Sequence, residues 1–88
     1  MTEDRRKRLR YRAWHRGTKE SDLLVGSFVD AITPSLADEE LNALEAFLVL
    51  DDQDLMDFYM GRREPPANVR DDPIFKAFLG HPAPLPDL

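Results

Sequence analysis

An arginine, a glycine and a glutamate stand close together in the segment Arg16-Gly17-Thr18-Lys19-Glu20. A guanidinium and a carboxylate can form charge-assisted hydrogen bonds with groups of a partner, and a glycine allows close approach of the backbone. The same residues also fit a plain glycine turn between two helices, in which Arg16 is near enough to pair with Glu20. On the residue types alone, both interpretations stay open.

A second group of chemically capable residues is a run of aspartates. Carboxylates at short spacing are typical ligands of divalent cations, but a calcium loop of the EF-hand type also needs a central glycine and a distal glutamate, which this run lacks. We therefore interpret the run as helix caps and a solvated acidic face, without a metal. Its members are Asp51, Asp52, Asp54 and Asp57.

The usual elements of catalysis and of cofactor binding are missing from the pattern. The two histidines, His15 and His81, lie far apart, and neither has a spaced partner for a metal or a nucleophile relay. Cysteine is absent, which excludes thiolate chemistry. The four glycines are isolated, so neither a phosphate loop nor a dinucleotide fingerprint can form. The sequence predicts a non-enzymatic protein with no cofactor or metal of its own.

Charge is distributed unevenly along the chain. Residues 1–20 carry eight Lys and Arg against three Asp and Glu, and the remainder carries four against fourteen, which gives the net charge of −5. The basic N-terminal segment could make the chain a nucleic-acid or regulatory binding module, because cationic clusters gain affinity for nucleic acid by releasing phosphate counterions. An acidic body would repel such a polyanion, however, so we favour a solvated face or a docking surface for an acidic protein.

Length and composition predict one small soluble domain. The chain has 88 residues, 42% of them hydrophobic and 33% charged, which is typical of a globular protein with a modest core. Apolar runs are too short to span a bilayer or to form a signal peptide, so we expect no stable membrane insertion and no secretion. The acidic residues Glu3 and Asp4 argue against a mitochondrial presequence.

Apolar spacing predicts an all-α fold, a compact five-helix bundle in a single small domain. A first helix is expected over residues 3–15 and a second over about 19–32, with Thr18 or Ser21 as its N-cap. Gly17 separates the two helices. The second helix carries a core stripe of Leu24, Val25, Phe28, Val29 and Ile32.

Three further helices follow from caps and stop signals. A third helix is predicted to open at the N-cap Ser35, and a fourth at Asp51 and Asp52, ending at Gly61. A loop over residues 62–71 leads to a fifth helix, which Asp72 and Pro73 open. We expect a helical domain over residues 1–80 and a Pro-rich C-terminal tail over 81–88.

With the elements placed, two blocks of the sequence resemble the SdhE family of succinate dehydrogenase assembly factors. The first block resembles the family's R-G-x-x-E signature, and the second its later acidic stretch that opens a helix. Together they make the likeness specific over roughly residues 5–60. The first block consists of Tyr11, Trp14, His15, Arg16, Gly17, Glu20, Asp22, Leu23, Leu24 and Phe28; the second runs through Leu50-Asp51-Asp52-Gln53-Asp54-Leu55-Met56.

This resemblance implies a chaperone-like function. The family binds the flavoprotein subunit of succinate dehydrogenase, in some bacteria also that of fumarate reductase, and promotes flavinylation, the covalent attachment of FAD to a histidine of that subunit. It also implies a cytoplasmic location in bacteria, or the mitochondrial matrix in eukaryotes. Carried over to this chain, the partner-binding residues are Arg16, Gly17 and Glu20, with Trp14, His15 and Asp22 beside them. Replacement of Arg16 or Glu20 by Ala is then expected to abolish this support while leaving the fold intact.

Overall fold

The computed structural model describes residues 2–82, which fold into six α-helices without any strand. The prediction of a small all-α domain is confirmed, with one helix more than expected. Two 3-10 turns, Thr33–Ser35 and Asp38–Glu40, separate the second helix from the third. The helices are α1 (Thr2–Trp14), α2 (Lys19–Ile32), α3 (Leu41–Val49), α4 (Asp52–Tyr59), α5 (Ala67–Arg70) and α6 (Pro73–Leu79).

Local side chains cap three of these helices at their N-termini, as the sequence predicts. Thr18 accepts a hydrogen bond from the Ser21 amide at 3.2 Å and opens α2. Asp51 accepts one from the Gln53 amide at 3.0 Å and opens α4, and Asp72 does the same for α6, ahead of Pro73. Each cap satisfies an amide that has no partner inside its own helix.

The predicted N-cap at Ser35 is wrong. After Pro34 the chain makes a 3-10 turn, and the Ser35 hydroxyl donates to the carbonyl of Ile32 at 2.8 Å, which closes the end of α2. The third helix begins only at Leu41, after a second turn in which the Glu40 carboxylate accepts from the Ala37 amide at 2.6 Å.

The predicted loop over residues 62–71 contains the short helix α5. Pro66 precedes the helix in an extended conformation, and its carbonyl accepts from the amides of Val69 and Arg70. Four residues make barely one turn, which is too short for an apolar period to show in the sequence.

Aromatic rings from α2, α3 and α6 pack against one another within the core. Phe28, Phe47 and Phe78 pack with their ring centroids between 5.1 and 5.4 Å apart in tilted and edge-to-face arrangements. From α1, Leu9 and Ala13 are buried in the same cluster. The other fully buried large side chains are Leu24, Val25, Val29, Leu41, Leu44, Leu55 and Phe75.

Helix α1 packs against α2 through a close contact between a tryptophan and a glycine. The Trp14 indole lies so near Gly26 that a β-carbon there would come within 2.7 Å of three ring atoms. The indole Nε1 also donates to the Asp30 carboxylate at 3.0 Å. The glycine therefore lets the C-terminal end of α1, just before Gly17, lie directly on the backbone of α2.

The start of the predicted C-terminal tail contacts the helical domain. His81 Nε2 lies 3.0 Å from the Ser27 hydroxyl, and the Tyr59 hydroxyl donates to the His81 carbonyl. From residue 83 onward the predicted tail lies outside the described residues, so the boundary at residue 80 stays a prediction.

Candidate functional site

The segment between α1 and α2 forms a sharp corner, here called the glycine corner, which comprises residues 15–18. Gly17 has a φ of +122°, which L side chains rarely adopt, and a β-carbon there would meet nothing within 4 Å. The Asp22 carboxylate accepts from the Arg16 amide at 2.6 Å and from the Gly17 amide at 3.3 Å. Asp22 thus holds the corner by its backbone, and the outer side of Gly17 stays open.

The Arg16 side chain turns inward from this corner. Only 8% of it is exposed. Its Nε donates to the Asp52 carboxylate, Nη1 donates to the Leu48 carbonyl at 2.8 Å, and Nη2 donates to the Leu50 carbonyl. The sequence suggested Arg16 either as a donor to a partner or as the ion-pair partner of Glu20. The guanidinium instead contacts the turn between α3 and α4.

Glu20 lies on the outside of the same region. It is exposed in the first turn of α2, and its carboxylate pairs with no side chain in the part of the chain that the structure describes. A carboxylate is favoured there by the helix dipole, and it remains available to a partner. The two charged residues of the R-G-x-x-E pattern therefore differ in placement, one buried and one exposed.

His15 and Trp14 flank the corner in different ways. His15 is exposed and stacks on Tyr11 with ring centroids 3.9 Å apart, and its Nδ1 lies 2.7 Å from the Tyr11 carbonyl oxygen. Tyr11 is itself 64% exposed. Trp14 is half-buried against Gly26. His15 and Tyr11 thus present aromatic surface next to the exposed glycine.

Two shallow grooves meet at His15. One has a volume of about 370 Å³ and is lined by residues of α1 and of the turn between α3 and α4, including Arg16 and Asp52. The other, of about 560 Å³, runs over Gly17 and the start of α2. Both are wide open to solvent, as expected of a surface that contacts another protein rather than one that encloses a small molecule.

The structure thus brings all six predicted site residues to one end of α1 and α2, in two roles. His15, Gly17 and Glu20 are exposed, whereas Arg16, Trp14 and Asp22 hold the corner in place. Sequence reasoning missed Gly26 and Asp52 as supports of this site. A glycine inside a helix was the available signal for Gly26, because such a residue usually has a packing reason.

Much of the positive charge of α1 is tied to the rest of the fold. Arg6 donates to the carbonyls of Thr33 and Leu36. Arg5 donates to the Glu45 carboxylate at 2.8 Å, and Arg12 donates to the other oxygen of the same carboxylate. The hydrogen bond from Arg5 and the nearby positive charges lower the pKa of Glu45 below its ordinary value, although desolvation opposes this shift. These arginines attach α1 to α3 and to the turn after α2.

The aspartate run serves local structure. Asp51 caps α4, Asp52 pairs with Arg16, and Asp54 pairs with Arg63. Burial tends to raise the pKa of Asp57, but hydrogen bonds from Gln53 and Arg62 outweigh it and leave this pKa lowered. Within residues 2–82, no three side chains of metal-binding type are grouped to hold an ion. The interpretation of Asp51 as a helix cap is confirmed.

Comparison with known proteins identifies the family. Residues 7–82 match the family described as "Flavinator of succinate dehydrogenase". The chain belongs to this family. The resemblance to SdhE drawn from the two sequence blocks is thereby confirmed, and the alternative of a nucleic-acid or regulatory binding module gains no support.

Individual relatives of the flavinator family agree with this assignment. The chain is 47% identical over 58 residues to an "FAD assembly factor SdhE" of Acetobacter pasteurianus, covering 66% of this chain and 53% of the relative. It is 43% identical over 61 residues to a protein of the same name in Ralstonia nicotianae, and the match covers 69% of this chain and 63% of the relative. A "Succinate dehydrogenase assembly factor 2, mitochondrial" of Cryptococcus neoformans is 30% identical over 76 residues, covering 86% of this chain and 43% of the relative.

The matched segments span less than two thirds of the length of these curated relatives. No solved structure matches the chain. Among the described residues of this flavinator family member, none of the helices has the length and apolar character needed to cross a bilayer.

Proposed function

We propose that this chain is an assembly factor that promotes the covalent attachment of FAD to the flavoprotein subunit of succinate dehydrogenase. Membership of the flavinator family carries the proposal, since curated relatives are named FAD assembly factors or succinate dehydrogenase assembly factors. The flavoprotein subunit of fumarate reductase is a second candidate client. The proposed location is the bacterial cytoplasm, or the mitochondrial matrix in a eukaryotic cell.

The proposed role is to bind the client, without catalysis and without a cofactor of its own. The flavin and a histidine of the client can supply the bond-forming chemistry, so the factor needs no nucleophile. It acts by binding more tightly to the client conformation that is competent for attachment, which raises the population of that conformation. The open grooves around His15 fit this role, because they offer surface rather than an enclosed pocket.

The proposed client-binding surface is the exposed part of the glycine corner. Gly17 has no side chain and open space beside it, so client backbone can approach closely. Glu20 offers a carboxylate for charge-assisted hydrogen bonds, and His15 with Tyr11 offers an aromatic surface. Arg16, Trp14 and Asp22 belong to the site because they fix its shape.

The test is the covalent flavin content of the client in cells. After deletion of the gene, in-gel flavin fluorescence of the flavoprotein subunit should fall, and expression of the wild-type chain should restore it. Glu20→Gln should restore it poorly. The matched control is Glu39→Gln, which neutralises an exposed carboxylate outside the corner and should restore it fully. Full covalent flavin in the deletion strain would refute the proposed function, and full rescue by Glu20→Gln would refute the proposed surface.

A further inference from the structure

One guanidinium connects three parts of the fold. Arg16 follows α1, Leu48 lies in the last turn of α3, and Asp52 is the first residue of α4. The carbonyls in the last turn of a helix have no partner inside the helix, and Arg16 supplies donors to Leu48 and to Leu50 just beyond it. Its positive charge also suits the C-terminal end of the α3 dipole. Arg16 therefore acts as a C-terminal cap for a helix that is distant in sequence.

Asp52 is the carboxylate that neutralises this cation. Arg16 is 8% exposed and Asp52 27% exposed, and among the described residues no other acidic side chain forms an ion pair with Arg16. A nearly buried guanidinium without a carboxylate is costly, because carbonyl groups replace only part of the hydration it loses. Without the negative charge of Asp52, Arg16 should turn outward into water and release the carbonyls of Leu48 and Leu50.

The position of the glycine corner depends on this contact. Gly17 is exposed, with open space where a side chain would be, so no side chain of its own holds it against the fold. Asp22 fixes the corner to its own helix, α2, whereas Arg16 joins it to α3 and α4. The Arg16–Asp52 pair thus sets how the exposed surface at Gly17 and Glu20 sits against the groove beside it.

We propose that Asp52 is a positioning residue for client binding, which acts through Arg16 and does not itself provide the contact with the client. This inference rests on the proposed function, since it concerns the same surface. It assigns a role to a residue outside the R-G-x-x-E pattern, and it assigns the arginine of that pattern to holding the corner.

The test compares three variants in binding to the purified flavoprotein subunit. Asp52→Asn keeps the shape of the side chain and removes the charge, and Asp52→Glu keeps the charge on a longer side chain. The matched control is Asp71→Asn, which removes one negative charge from an exposed aspartate outside both grooves. All measurements are made at a temperature at which circular dichroism shows every variant to be fully folded.

We expect Asp52→Asn to weaken the Kd about tenfold, Asp52→Glu to recover part of that loss, and Asp71→Asn to stay within about twofold of wild type. Amide hydrogen exchange should speed up at residues 15–20 and 48–52 in Asp52→Asn, and not in Asp71→Asn. In a chain that already carries Glu20→Gln, Asp52→Asn should weaken the Kd by a clearly smaller factor than it does in the wild-type chain, because both changes affect one surface.

Wild-type affinity in Asp52→Asn would overturn the inference, as would an equal loss in Asp71→Asn, which would indicate a general effect of negative charge. Full additivity with Glu20→Gln would overturn it too, because the two residues would then act independently. A wild-type chain that does not bind the subunit would instead overturn the proposed function and, with it, the binding role of Asp52. Hydrogen exchange would still show in that case whether Asp52 holds the corner, so the two failures are distinguishable.

Discussion

Replacement of Gly26 by alanine tests how α1 packs on α2. Alanine is the better helix former by about 1 kcal/mol, so the change would stabilise α2 if the site were open. The site is not open, because the new β-carbon would come within 2.7 Å of three atoms of the Trp14 ring. Carbon atoms pack best at about 3.5–4.0 Å, so the indole has to retreat by about 1 Å.

The retreat of the indole has two costs. Overpacking of this kind typically destabilises by about 1–3 kcal/mol, and the hydrogen bond from Trp14 to Asp30, now 3.0 Å long, is strained or lost as well. After the gain in helix propensity is subtracted, we expect Gly26→Ala to lower the free energy of unfolding by about 1–2 kcal/mol. For a domain of this size, each kcal/mol corresponds to a fall in Tm of about 4–8 °C.

Thermal unfolding followed by circular dichroism measures this loss, and the fluorescence of Trp14, the only tryptophan, reports on the ring itself. The emission of Gly26→Ala should shift to longer wavelength as the indole becomes more exposed. In a Trp14→Ala background the sign should reverse, and Gly26→Ala should stabilise by up to about 1 kcal/mol because only helix propensity remains. If Gly26→Ala alone is as stable as wild type and its emission is unchanged, then Trp14 does not pack on Gly26 as described.

Three further predictions concern stability. Arg16→Ala should lower the free energy of unfolding, measured with urea, by about 2–3 kcal/mol, because it uncaps α3 and leaves the partly buried Asp52 without its cation. A decrease of less than about 0.5 kcal/mol would contradict the buried contact. Glu45→Gln should destabilise the fold most above pH 4.5, because the lowered pKa of Glu45 gives stability that is lost as the pH falls through that pKa. If the difference in stability between Glu45→Gln and wild type stays the same from about pH 3 to pH 7, Glu45 does not contribute in this way. Phe78→Ala should lower the free energy of unfolding by about 3–5 kcal/mol in equilibrium unfolding, since the ring is fully buried among other aromatic rings. A decrease of less than about 2 kcal/mol would mean that neighbouring side chains fill the cavity.

The parts of the fold that sequence predicted well are those set by neighbouring residues. Thr18, Asp51 and Asp72 each bond an amide two or three positions later, so a short window of sequence contains the whole interaction. The prediction at Ser35 was wrong because the same hydroxyl can bond backward to the end of a helix, and a preceding proline turn favours that choice. Helix α5 was missed because one helical turn has no readable period.

The six predicted site residues lie close together in the structure, but the contacts among them differ from those that the sequence suggested. The pairing of Arg16 with Glu20 is what helix spacing suggests, since the two residues are four apart. The actual partner, Asp52, lies 36 positions away, and only the packing of α3 beside α1 brings it close. Nothing in the spacing of the aspartate run sets Asp52 apart from Asp51, although one aspartate binds Arg16 and the other caps a helix.

The placement of the motif residues changes how loss of function should be interpreted. Loss of activity on replacement of the arginine in an R-G-x-x-E pattern suggests that the arginine touches the client, and from the sequence alone Arg16→Ala is expected to leave the fold intact. Only 8% of the Arg16 side chain is exposed, so we expect Arg16→Ala to lower stability and function together. Glu20 is exposed, and surface changes of this kind usually alter stability by less than about 0.5 kcal/mol. Glu20→Gln should therefore impair function at unchanged Tm; an equal loss of Tm in Glu20→Gln and Arg16→Ala would show that both residues are structural and that the client binds elsewhere.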